Sequence, residues 1–190
     1  MPSVVEEKAR LRALCKQMRM DVTPEEKRAW DAALCDVIRS HEAFRLADLV
    51  LCFAPVRGEP DLTSLFETAR KNGIPLAFPR TTGRNMTFHI VRDMSELSLG
   101  RFGIPTPDEN APVAMTTKRT LCIMPGLAAT KQGDRLGYGG GFYDRFLANF
   151  DGISIFPIYE RLILPSLPCE ECDYKPDFIL CEKGEAYKHG

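Results

Sequence analysis

The rhythm of apolar and polar positions changes near residue 47. Before that point it is helical. Leu11, Leu14, Cys15 and Met18 recur at helical spacing between Val4 and Met18, with basic residues on the other faces. Thr23-Pro24-Glu25-Glu26 predicts the start of a second helix, with Thr23 as N-cap, Pro24 in the first helical position and Glu26 closing a capping box. Trp30, Ala33, Leu34, Val37 and Ile38 form its inward face. After residue 47 short continuous apolar runs take over. Residues 49–54 read as a strand covered on both faces. A helix over 62–72, capped by Asp61 and stopped by Gly73, follows it. Strands are predicted at 74–78, 86–91, 121–124, 153–158 and 178–181, and a helix runs from the glycines at 139–141 to about Asn149. Residues 95–118 are rich in proline and glycine, a long loop on the surface or over a site. Strands alternating with helices predict one domain over residues 1–190: a three-layer α/β/α sandwich with a largely parallel sheet.

Composition adds mainly exclusions. Lys and Arg (25) balance Asp and Glu (26), so no global field draws the chain to nucleic acid or to an anionic membrane. No apolar run reaches the roughly 20 residues of a membrane helix, and the mixed-charge N-terminus lacks the apolar segment of a secretory signal. A soluble, cytoplasmic monomer is expected, with a mitochondrial pool left open. Of the seven cysteines, Cys52, Cys122 and Cys181 sit in apolar runs and read as buried hydrophobes. Cys169 and Cys172 have metal or redox spacing but lack the second half of a zinc site. His41, His89 and His189 are scattered and form no nucleophile–base set.

Chemistry concentrates in Gly133-Asp134-Arg135-Leu136-Gly137-Tyr138-Gly139-Gly140-Gly141-Phe142-Tyr143-Asp144-Arg145, between a predicted strand and a predicted helix. Consecutive glycines let the backbone approach a ligand and present N–H groups to an anion. A helix N-terminus beyond them favours phosphate, and Arg135 and Arg145 can neutralise charge. Glycine content alone fits a flexible turn equally well; the flanking Arg, Tyr and Asp favour phosphate. Neither a Walker motif nor a dinucleotide fingerprint is present.

Met124-Pro125-Gly126-Leu127-Ala128 followed by GDRLGYGGGFYDRFL (133–147) resembles the signature of the 5-formyltetrahydrofolate cyclo-ligases, or methenyltetrahydrofolate synthetases. Lys8-Ala9-Arg10-Leu11-Arg12, Phe53-Ala54-Pro55, Gly58-Glu59-Pro60-Asp61, Phe78-Pro79-Arg80, Phe102-Gly103-Ile104-Pro105 and Pro176-Asp177-Phe178-Ile179 follow in that family's order. The resemblance implies a fold akin to sugar-phosphate isomerases. It implies ATP contacts at Lys8, Ala9, Arg10, Leu11 and Arg12 and at Arg135, Leu136, Gly137, Tyr138, Gly139, Gly140, Gly141, Phe142 and Tyr143. Folate contacts would come from Ala54, Glu59, Tyr138, Gly139, Gly140, Gly141 and Phe142, and magnesium (Mg2+) would bind Asp144 and Asp177. Arg145, Arg135 and Glu59 are the candidate catalytic residues. The implied reaction is closure of 5-formyltetrahydrofolate to 5,10-methenyltetrahydrofolate with MgATP, through a phosphorylated formyl group.

Each residue also has a plainer reading. Lys8 and Arg12 fit a solvated helix face, Glu59 a surface turn, Asp144 an exposed helix position and Asp177 an ordinary turn aspartate. The chain also departs from the family pattern at Ala129-Thr130, where Phe-Asp is common, at Thr106 in place of Glu, and at Cys172 in place of His. A sugar-phosphate isomerase and a non-catalytic folate or nucleotide carrier are the alternatives.

Overall fold

The computed structural model describes residues 3–100 and 103–190; Phe102 of the implied Phe-Gly-Ile-Pro block lies outside them. Helices α1 (Val4–Met20) and α2 (Pro24–Ser40) both begin on capping boxes, Ser3 with Glu6 and Thr23 with Glu26, each with both halves formed. The short α3 (Glu42–Arg45) leads into β1 (Leu49–Leu51). Helix α4 (Thr63–Lys71) and the hairpin β2 (Leu76–Thr82) and β3 (Asn85–Val91) follow. The N-cap of α4 is Leu62 rather than the expected Asp61, whose Oδ1 instead accepts from Thr63 N at 3.0 Å in the turn just before the helix. The 95–118 stretch holds a small ladder of β4 (Ser98–Leu99) and β5 (Pro105–Thr106).

The second half supplies β6 (Thr120–Ile123), a ladder of β7 (Ala128–Ala129) with β8 (Arg135–Leu136), and α5 (Phe142–Leu147). Strands β9 (Ile153–Pro157), β10 (Phe178–Cys181) and β11 (Gly184–Lys188) complete the chain. Among the described residues one sheet runs β11-β10-β9-β6-β1-β2-β3. Its inner strands β10, β9, β6, β1 and β2 are mutually parallel, and both edges, β3 and β11, are antiparallel.

Alternation along the strands divides the core in two. Val50, Leu76, Phe78, Leu121, Ile123, Ile155 and Leu180 pack with α2, α3 and α4. Leu49, Leu51, Ala77, Cys122, Phe156 and Ile179 pack on the opposite face with Leu11 and Cys15 of α1 and Leu147 of α5. The result is the expected three-layer α/β/α arrangement, each strand having apolar side chains on both faces because helices cover both. No helix among the described residues is long and apolar enough to cross a membrane.

Three sequence expectations need adjustment. Strand β1 ends at Leu51, and Phe53 and Ala54 turn out of the sheet. Helix α5 stops at Leu147 and has six residues, so its dipole is a smaller contribution than the motif suggested. Strand β11 was not expected at all: Gly184-Glu-Ala-Tyr-Lys188 has no apolar run, because an edge strand needs little burial on its outer side.

Candidate active site

The winding of the sheet reverses between β1 and β6. The chain leaves β1 for β2 on one side, and β6 later enters on the other. Their carboxyl ends therefore diverge into separate loops, the place where open α/β sheets accept ligands. A crevice of about 520 Å³ lies there. Its walls are Phe53, Ala54, Val56, Arg57 and Glu59 after β1, Pro125 after β6, and Arg135 with residues 137–144 of the glycine loop. The roof comes from the β2–β3 hairpin and from Gly100, Ile104 and Thr106, so the long 95–118 segment covers a site.

The glycine loop owes its path to two left-handed residues, Gly139 at φ +95° and Gly141 at φ +63°, conformations that side chains with a Cβ rarely adopt. Helix α1 grips this loop. Arg12 Nε donates to the Gly137 carbonyl at 2.9 Å. Seven residues on, Arg19 donates to the Tyr138 hydroxyl at 2.8 Å and to the Gly126 carbonyl at 2.5 Å. Lys8, on the same face and buried, meets Glu170 at 2.7 Å and Asp173 at 2.5 Å. Burial alone would pull the Lys8 pKa down, but the hydrogen bonds and charges of Asp173 and Glu170 raise it. The basic residues of this face are thus not a solvated stripe. Arg10 and Ala9 do point outward, Arg10 pairing with Glu7, and Leu11 belongs to the core.

Arg135 is buried and forms the floor beneath the loop. It donates to the Pro125 carbonyl at 3.0 Å and to Asp144 Oδ1 at 2.7 Å, which also accepts from Tyr174 N at 3.2 Å. The Nε of Arg135 and the hydroxyl of Tyr143 are buried without a hydrogen-bond partner, both on residues that line the crevice. Burial drives the Tyr143 pKa well up, so this hydroxyl stays protonated. Arginine beside the glycine-loop backbone at the crevice wall suits a ligand rich in acceptor oxygens.

Glu59, 5% exposed, also lines the crevice. Its Oε1 accepts from the Tyr138 hydroxyl and its Oε2 from Val56 N at 2.9 Å. Burial raises its pKa, opposed by the bonds from Tyr138 and Val56 and by the charges of Arg19 and Arg57. Each carboxylate oxygen accepts one bond and retains further acceptor capacity, and Phe53, Ala54 and Met86 are among the apolar residues lining the same crevice. Such a carboxylate is matched to a flat heterocycle bearing N–H donors.

Two expected residues are placed elsewhere. Arg145 is not a lining residue: it donates to the carbonyls of Arg84 (3.0 and 3.2 Å) and Gly140 (3.0 Å) and lies over Phe142, 5.2 Å from the ring centre. Asp177 precedes the amino end of β10, and its Oδ2 accepts from Ser154 N (2.7 Å) and Oγ (2.6 Å). It is not among the residues that line the crevice, whereas Asp144 is. Leu136 is buried in the core under the loop. Conversely, Arg19, Glu170, Asp173 and Tyr174 were not singled out in sequence. Only Arg19 had a signal there, its seven-residue spacing from Arg12 on one helix face.

The departures from the family pattern fall in different places. Ala129 and Thr130 are buried away from the lining; Thr130 Oγ1 donates to Asp134 Oδ2 (2.9 Å) and accepts from Gln132 N (3.2 Å) and Asp134 N (3.1 Å), organising the β7–β8 turn. Thr106 lines the crevice, and Cys172 is exposed beside Asp173.

Fold and site together define a three-layer α/β protein with a crevice at a sheet switch point, lined by arginine and glycine-loop backbone together with a buried carboxylate and apolar side chains. Comparison with known proteins names the group. The profile of the 5-formyltetrahydrofolate cyclo-ligase family matches residues 4–182, and the chain belongs to that family. It is 29% identical over 168 residues to the 5-formyltetrahydrofolate cyclo-ligase of Escherichia coli K12, spanning 84% of this chain and 92% of that one. To the cyclo-ligase of Mus musculus it is 24% identical over 190 residues, spanning 93% and 94%. The solution structure of Aquifex aeolicus 5,10-methenyltetrahydrofolate synthetase superposes with a TM-score of 0.80 at 28% identity, covering 94% of this chain and 91% of the other.

Proposed function

We propose that this chain closes 5-formyltetrahydrofolate to 5,10-methenyltetrahydrofolate, consuming ATP and releasing ADP and phosphate. The observation that carries this is a single crevice lined both by Arg135 and the glycine loop and by a buried carboxylate with apolar side chains. The pterin ring lies against Phe53, Ala54 and Met86, with its N–H donors on Glu59. The triphosphate lies along the glycine loop toward Arg12 and Lys8, and Lys8 exchanges its carboxylate partners Glu170 and Asp173 for phosphate oxygens.

A formamide oxygen is a poor leaving group, which is why a nucleotide is needed. Transfer of the γ-phosphoryl group breaks its bond to ADP and forms a bond to the formyl oxygen. Nitrogen-10 then attacks the formyl carbon, the carbon–oxygen bond breaks with departure of phosphate, and nitrogen-10 loses its proton. Both steps depend on alignment and on neutralising charge rather than on a protein nucleophile. Arg135 contributes that charge from the floor, and loop N–H groups hold the phosphate oxygens. Arg145 acts by fixing the loop at the Gly140 carbonyl, and would reach phosphate only after leaving Arg84. Asp144 fits magnesium, since this ion prefers one or two carboxylates alongside phosphate oxygens and water. Bound there, it would supply further charge neutralisation.

Absorbance of the methenyl product tests the proposal. Purified protein with 5-formyltetrahydrofolate and magnesium is expected to give a rise only when ATP is present. Product without ATP, or folate binding with no product at all, would overturn it.

A further inference from the structure

Arg19 is 3% exposed, yet it is a full-length cation, carried on the last turn of α1. Burying a guanidinium is costly unless its donors are used. Arg19 uses one on the Gly126 carbonyl just after β6 and another on the Tyr138 hydroxyl, while its Nε has no partner. Gly58, beside Glu59, makes room for it: a Cβ at Gly58 would stand 3.2 Å from the Arg19 Cγ.

A tyrosine hydroxyl has one proton to give. Because Arg19 donates to this oxygen, the Tyr138 proton is directed to Glu59 Oε1. The polarity of the chain is therefore fixed, guanidinium to hydroxyl to carboxylate. Tyr138 as a residue is 38% exposed, but its hydroxyl sits between the buried Arg19 and Glu59, and hydrogen bonds in series polarise one another there. The chain also joins α1, the glycine loop and the β1–α4 loop, three segments around the crevice. We infer that Arg19 is a positioning residue for substrate recognition, acting through the Tyr138 hydroxyl to hold Glu59 ionised and aimed at the N–H donors of the heterocycle. This rests on the proposed folate role of Glu59 and extends it to two groups that never need touch the reacting atoms. The charged and titratable groups facing Glu59 are Arg19 from α1, Arg57 from its own loop, Tyr138 from the glycine loop and Tyr143 from α5.

The test compares Arg19→Met, Arg19→Lys, Tyr138→Phe and the double variant Arg19→Met/Tyr138→Phe. Loss of a charge-assisted bond to Glu59 should raise the KM for 5-formyltetrahydrofolate about tenfold, with the KM for ATP within about twofold of wild type. The acid limb of kcat/KM for the folate should move to higher pH, because a carboxylate with fewer donors holds its proton longer. Arg19→Lys should recover part of the loss. In the Tyr138→Phe background, Arg19→Met should add little, since the intermediary is gone. Equal losses for both substrates, full additivity, or an unmoved acid limb would overturn the inference. A second readout needs no substrate: carbon-13 NMR titration of the Glu59 carboxyl in the free protein, where Arg19→Met and Tyr138→Phe should each titrate at higher pH than wild type. An unchanged titration overturns the inference even if Arg19→Met does not fold. A wild-type protein that makes no product would instead refute the proposed function, with the Glu59 titration still deciding the role of Arg19.

Discussion

Replacing Gly139 by alanine separates the loop's shape from its chemistry. At φ +95° this residue lies beyond the left-handed well, where a non-glycine residue costs about 1–3 kcal/mol. The added Cβ would stand 3.2 Å from the Arg12 Cζ, so the guanidinium must give by a few tenths of an ångström. That strains the 2.9 Å bond from Arg12 Nε to the Gly137 carbonyl, a charge-assisted contact worth roughly 1.5–3 kcal/mol. If the loop relaxes rather than the fold, about 2 kcal/mol is withdrawn from nucleotide binding, roughly a 30-fold rise in the KM for ATP. Gly73→Ala is the control. Its φ of +73° imposes similar backbone strain, but no atom lies within 4 Å of the new Cβ and it ends α4 far from the loop. Both variants should lose a few degrees of Tm, about 2–4 °C per kcal/mol for a chain this size. In the methenyl absorbance assay with ATP varied, only Gly139→Ala should change KM. A Gly139→Ala protein with wild-type KM for ATP would refute the idea that this loop's backbone forms the phosphate cradle.

Other outcomes follow from the same geometry. Burial raises the Glu59 pKa above the ordinary carboxylate value, so its anion, and with it folate binding, should fade as pH drops through that raised value; a kcat/KM profile with its acid limb no higher than for an exposed glutamate would contradict this. The same shift means Glu59 favours folding below its unfolded pKa and loses that contribution as pH rises through the folded one, so it supports function at neutral pH at some expense in stability. Asp144→Asn should raise the magnesium needed for half-maximal rate at least tenfold, whereas Asp177→Asn, removing the acceptor for Ser154, should lower Tm and leave the magnesium titration near wild type. Thr130→Val should cost about 0.5–1.5 kcal/mol, seen as a lower urea midpoint, because it removes the acceptor of the Gln132 and Asp134 N–H groups in the β7–β8 turn, and neither KM should move.

Much of this protein was determined locally. The box at Thr23 and Glu26 and the proline between them start α2 at Pro24, because those residues satisfy the free N–H groups of a first turn whatever the surroundings. The buried runs around Val50, Leu121, Ile155 and Ile179 specify strands covered on both faces, and Gly139 and Gly141 mark the only path the loop can take. Arg135 and residues 137–144 of the motif line the crevice. Tertiary structure decided what depends on partners distant in sequence. That Lys8, Arg12 and Arg19 turn inward follows from Glu170, Asp173, Gly137 and Tyr138, all more than a hundred residues away, which compensate the burial of charge. Asp144 and Asp177 look equivalent as isolated aspartates. Their separation follows from where the chain sets them: one at the mouth of the switch point, the other locked to Ser154 at a strand's amino end. A carboxylate's chemistry is set by its neighbours, and those neighbours are assembled only when the sheet closes.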